Sequence, residues 1–146
     1  SPDAFEQIDA IVAADSIYAS LDETAPSRRA EPDQMHHFLK FATLAAEGSK
    51  SFVITHSAQP TPYASTTETA DYLLSELELP RSVDTAIKLA TLQQRTRAAR
   101  GRFVVLGFDG TSGKDHMQHL HHIDLFWDCL GVRAPAASGG GCASGD

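Results

Sequence analysis

At 146 residues and 15.7 kDa, with 42% hydrophobic and 21% charged residues, the chain has the composition of one compact globular domain. Its formal charge of -7 and pI near 5.4 exclude wrapping nucleic acid or resting on an anionic membrane, because both surfaces would repel it. No uninterrupted apolar stretch approaches the roughly 20 residues needed to cross a bilayer, and Ser1-Pro2-Asp3 carries no basic-then-apolar leader, so Ser1 reads as a processed end.

Taken in chain order, apolar runs alternate with amphipathic stretches. Residues 8–14 (IDAIVAA), 51–55 (SFVIT) and 102–108 (RFVVLGF) read as strands, and their continuous apolarity predicts burial on both faces. Between the first two, residues 33–47 place Met35, Phe38, Leu39, Ala42 and Ala46 at helical spacing, with Gly48 where a helix stops. Ser65-x-x-Glu68 is a capping box that opens a second helix with Tyr72, Leu73 and Leu77 on its apolar face. A third helix is predicted over 82–97 from Val83, Ile87, Ala90 and Gln94, and a last one over 115–130 with a stripe of Leu120, Ile123, Trp127 and Leu130. Residues 134–146 (APAASGGGCASGD) are expected to form a flexible tail of small residues, unless Cys142 is tethered, after a single unit over 1–133. The two cysteines, Cys129 and Cys142, form no CxxC pair, and pairing with each other, with another chain or not at all stays open.

The order β-α-β-α-α-β-α predicts an α/β fold, a parallel sheet with flanking helices and right-handed crossovers. Three parallel strands buried on both faces make an incomplete layer with a sticky edge. The expectation is that earlier strands of a larger sheet lie on a separate polypeptide; the alternative is a small self-contained domain.

In open parallel sheets the site gathers beyond the carboxyl ends of the strands. Asp15 follows the first strand, His56 the second and His116 the third. His116 stands at a loop-to-helix junction, where an imidazole with an ordinary pKa near 6.5 can accept and return a proton. Asp15 is suited to orienting that imidazole, or else to capping the segment after it. Pro60, Pro62 and Tyr63 stiffen the loop from 55 to 68, so Tyr63 and His56 are candidate substrate contacts; turn rigidity explains the same residues.

This placement of acid, loop and histidine resembles the last three strands of the α/β-hydrolase family, from Ile8 to Leu130, with Asp15 after the sixth strand, His56 after the seventh and His116 after the eighth. The resemblance implies a serine hydrolase of ester or amide bonds, of esterase, lipase or peptidase type, working without a cofactor, with His116 and Asp15 as catalytic histidine and acid. Glu68 is the secondary candidate for the acid, because the family more often places it after the seventh strand. The G-x-S-x-G nucleophile elbow is missing, and Gly110-Thr111-Ser112-Gly113 has its second glycine one position early, after the wrong strand. The nucleophile is therefore expected on a partner, an N-terminal hydrolase chain, with a small-molecule or polymer acyl substrate. The processed N-terminus, the tail with Cys142 and the resemblance together imply secretion or the cell envelope.

Three other readings compete. His116, His119, His121 and His122 invite a metal clamp completed by Asp115, Asp109 or His56, yet no HExxH pattern is present and no metal is assigned. The run from Gly107 to Asp115 mimics a phosphate loop, but Asp115 sets a negative charge where phosphates would sit. A noncatalytic interaction subunit built on the same scaffold is the third.

Overall fold

The computed structural model describes residues 4–130. The elements run α1 (Ala4–Gln7), β1 (Ala10–Ala14), α2 (Pro32–Ala46), β2 (Ser51–His56), α3 (Thr66–Glu76), β3 (Ser82–Val83), β4 (Lys88–Leu89), β5 (Leu92–Arg100), β6 (Phe103–Phe108), α4 (Gly113–His121) and α5 (Ile123–Asp128). They make a mixed α/β fold in which one central sheet is flanked by helices on both faces.

The three apolar runs form the parallel centre of that sheet. β1 pairs with β2 from Ala10 opposite Ser51 to Ala14 opposite Thr55, and β2 pairs with β6 from Phe52 opposite Phe103 to His56 opposite Gly107. Every residue of β2 and of β6 is buried, as continuous apolarity predicts for strands covered on both sides. Alternate residues feed two separate cores. Phe52, Ile54, Phe103 and Val105 meet Met35, Phe41 and Ala45 of α2 and Leu73 and Leu74 of α3. Val53, Val104, Leu106 and Phe108 meet Phe126 and Leu130 on the opposite face. Each fully buried Phe contributes about 1.5–3 kcal/mol to that division.

The region from Ser82 to Arg97 is not the helix expected from its apolar spacing. It forms β3, β4 and most of β5, all antiparallel additions, so the sheet is mixed with order β1-β2-β6-β5-β3 and β4 paired on β5. The deciding pattern has period two: Leu92, Gln94 and Ala98 are buried while Arg95 points out between them. Gly101 and Arg102 then form a two-residue hairpin between Arg100 and Phe103, with Gly101 at φ 57, where a Cβ would run into the backbone carbonyl of Ala46.

The last helix also differs from expectation. It breaks at His122 into α4 and α5, and Leu120 and Trp127 of the predicted stripe are 52% and 36% exposed. Leu130 of that stripe is buried as expected, joined by His119 and Phe126. The expected tail, 134–146, lies outside the described residues, whereas Cys129 is held in a disulfide. Among the described residues no helix is long and apolar enough to cross a membrane.

At the end of the sheet, β1 has β2 as its strand neighbour and nothing among the described residues pairs with its outer side. Ala10, Ile11 and Val12 are correspondingly half-buried rather than buried.

Candidate functional site

The chain leaves β1 through Asp15, which adopts φ 49, a left-handed conformation uncommon for a side chain other than Asn or Asp. Its N–H still reaches back to the Thr55 carbonyl at 2.9 Å, so the turn begins while the strand is anchored to β2. The carboxylate is 1% exposed and fully engaged. Oδ1 accepts from the Ser57 N–H at 2.7 Å and from the Thr66 hydroxyl at 2.5 Å, and Oδ2 lies 2.9 Å from Nδ1 of His116. Burial by itself would raise the Asp15 pKa, but the Thr66 hydroxyl, the Ser57 N–H and His116 outweigh it and hold the group below its ordinary value. Thr66 is the first residue of α3, so the positive end of that helix also faces the carboxylate.

His116 sits in the first turn of α4, fixed by a capping box in which Ser112 accepts from the Asp115 N–H and Asp115 accepts from the Ser112 N–H. Its side chain is 36% exposed. With Nδ1 on Asp15, its Nε2 has no hydrogen-bond partner among the described residues and is left to act as an acceptor. The structure thus brings together two residues 101 positions apart. No hydroxyl among the described residues is hydrogen-bonded to His116.

Tyr63 stands beside this pair through Tyr18, which sequence reasoning missed. The two exposed rings meet edge to face with centroids 5.5 Å apart, and the Tyr18 hydroxyl rests 3.4 Å from the Asp15 carbonyl. Partial burial and then the Asp15 charge raise the Tyr18 pKa. Paired backbone bonds between Ala19 and Ala64, at 2.9 and 3.4 Å, join the loops that carry the rings. Arg28 completes the clamp, donating to the Thr61 and Tyr63 carbonyls and to both carboxylate oxygens of Glu68. Glu68 also receives the Ser65 N–H, so its carboxylate serves the cap and Arg28 rather than a histidine.

His56 is 5% exposed and lies inside the fold. Arg81 donates to its Nε2 at 2.9 Å, and Nδ1 lies 3.1 Å from both the Ser57 carbonyl and the Thr67 hydroxyl, which occupies both ring nitrogens. Desolvation, helped by the Arg81 charge, lowers its pKa to about 4. Gly107 faces it from β6, where a Cβ would press on the His56 ring and Thr96.

His119 is the second inward histidine. It packs against Phe108 and Phe126 and sets Nδ1 2.8 Å from the Thr55 hydroxyl, bolting α4 to β2 one residue before His56 and one turn beyond His116. Its Nε2 is buried without a hydrogen-bond partner, and desolvation pushes its pKa below the ordinary value, partly offset by Asp15. Neither it nor its neighbours gather as metal ligands: among the described residues no group of three or more His, Cys, Asp or Glu could hold an ion. Asp109 pairs with Arg95 at 2.8 Å. Asp115 takes the Thr111 and Ser112 N–H groups that a phosphate would need.

Thr66, Ser57 and Tyr18 were not singled out by sequence reasoning, and His119, read there only as a candidate metal ligand, instead joins the Thr55 hydroxyl and the Phe108 ring. Thr66 alone carried a signal, since it follows the capping serine and must lie at a helix N-terminus. Comparison with models of known families, with curated proteins and with solved structures gives no match to this chain.

Proposed function

We propose that the chain supplies the histidine and carboxylate of an ester- or amide-cleaving serine hydrolase of α/β-hydrolase type, whose nucleophile comes from a neighbouring segment outside this chain. The observation that carries the reading is the 2.9 Å contact between Asp15 and Nδ1 of His116, with Nε2 left open. In such a reaction Nε2 takes the proton of the attacking hydroxyl as its oxygen bonds to the acyl carbon, and gives that proton to the departing alcohol or amine. Water then repeats the exchange on the acyl-enzyme and returns the proton to the nucleophile. Asp15 stays ionised throughout and stabilises the imidazolium, a role that suits a carboxylate already held below its ordinary pKa. The outer side of β1 supports a neighbouring segment as the source of the nucleophile, because a continued sheet would bring further strand ends alongside Asp15.

The test is labelling of the natural assembly with a serine-directed fluorophosphonate. A labelled serine on a co-purifying segment, lost in His116→Ala, is the expected result, together with a fall in kcat on the order of 10⁴-fold for Asp15→Asn. An assembly that takes no label and releases no acyl group from any ester offered would make this a binding subunit.

A further inference from the structure

Tyr18 and Tyr63 are among the few large apolar side chains left exposed, at 42% and 47%, and they are next to each other. Exposed tyrosines that merely solvate a loop are free to rotate away, but these two are fixed at three levels. Their rings lock edge to face at 81°. Their backbones are joined through Ala19 and Ala64. The second loop is stapled by Arg28 and by the Thr61 hydroxyl, which donates to the Tyr63 carbonyl at 2.6 Å. Their orientation is therefore set before any ligand arrives.

Two rings at nearly a right angle, the edge of one against the face of the other, present an L-shaped corner whose two walls are both ring faces. A flat aromatic ring entering that corner stacks on one ring face and points its own edge at the other, both favoured geometries for aromatic pairs. A flexible alkyl chain would gain area there but lose more conformational freedom. The pair stands next to the residue that holds His116, since the Tyr18 hydroxyl lies 3.4 Å from the Asp15 carbonyl and the Asp15 carboxylate 2.9 Å from His116.

We infer that the Tyr18 and Tyr63 rings form a preorganised subsite for an aromatic ring of the substrate, so that aryl esters or aryl amides are the preferred class. This rests on the hydrolase reading for the reaction but not for the ring binding, and the two are separable. The probes are 4-methylumbelliferone, a flat phenol whose binding is followed by fluorescence anisotropy, and its acetate ester compared with hexyl acetate, all on the natural assembly. In Tyr18→Ala and Tyr63→Ala the Kd of the phenol should rise about three- to tenfold, the loss of one such ring contact. The preference in kcat/KM for the aryl over the hexyl ester should fall by a similar factor. Tyr18→Phe and Tyr63→Phe keep the rings and should keep both quantities, which a loss through misfolding would not predict. Phenol binding that ignores the alanine substitutions overturns the inference, as does an equal loss on hexyl acetate. Tyrosine-dependent phenol binding without ester cleavage keeps the aromatic subsite and overturns the hydrolase reading.

Discussion

Asp15 is a charge held inside the molecule by three donors and a strained backbone, and its neighbours set both its pKa and its stability. The Thr66 hydroxyl makes the shortest of these bonds, at 2.5 Å. Thr66→Val keeps the shape and removes the donor, so the Asp15 pKa should rise; following the carboxyl carbon by NMR against pH reads the shift. Because the folded pKa lies below the unfolded one, the carboxylate adds stability above the ordinary carboxylate range and loses it as pH falls through the folded value. In the variant that loss should begin at higher pH, on top of about 1.5–3 kcal/mol lost at neutrality for a hydrogen bond to a charged group. His56 titrates with the other charge but the same slope. Its pKa falls from 6.5 unfolded to about 4 folded, so the unfolded chain binds the proton first and stability declines as pH drops from 6.5 towards 4. The size is on the order of 3 kcal/mol at the lower end. Urea midpoints measured from pH 7 to pH 4 should show this decline, and His56→Gln, which can still accept from Arg81, should flatten it.

At the scale of elements, the local rules that speak loudly in sequence were obeyed. The capping box at Ser65 and Glu68, the stop at Gly48 and the three apolar runs each reappear within a residue or two of their expected place. Asp15 and His116 were legible for the same reason, since both follow the end of a strand and strand ends are where side chains leave the layer. The region from Ser82 to Arg97 misled because Val83, Ile87, Ala90 and Gln94 happen to fall at helical spacing while hairpin pairing to β6 decides the outcome. The hairpin glycine, Gly101, was the available cue. The aromatic corner was not legible, because Tyr18 and Tyr63 meet only after Ala19 pairs with Ala64 across distant loops. Beyond the break at His122, Phe126 and Leu130 join the core that holds Val53, Val104, Leu106 and Phe108. The first turn of α4 positions His116 against Asp15. Ser112→Ala removes the acceptor for the Asp115 N–H and should cost about 1 kcal/mol in a thermal or denaturant unfolding measurement. Since His116 is the next residue along, its NMR resonances should shift and broaden, while those of His56 stay in place.

At the scale of the whole molecule, the question is what lies beyond β1. In a strand paired on one side, alternate residues direct their N–H and C=O groups to that partner and the rest direct them away. The carbonyl of Asp9 and the N–H of Asp15 both bond to the β2 side, which assigns the odd positions of β1 to β2 and leaves Ala10, Val12 and Ala14 facing outward. Proline removes one N–H and is tolerated on edges, so it can be used to interrogate one side of the strand at a time. Val12→Pro deletes an outward N–H and should leave the isolated chain folded, with a circular dichroism spectrum like that of the parent. Ile11→Pro deletes an N–H aimed at β2 and should unfold the β1 end, at a cost of about 3 kcal/mol or more. If the sheet continues into the segment that brings the nucleophile, Val12→Pro should also weaken co-purification with that segment by at least tenfold, because a parallel neighbour needs the Val12 donor. Association that survives Val12→Pro at full strength would place the junction elsewhere and leave the β1 edge as a solvent-facing rim.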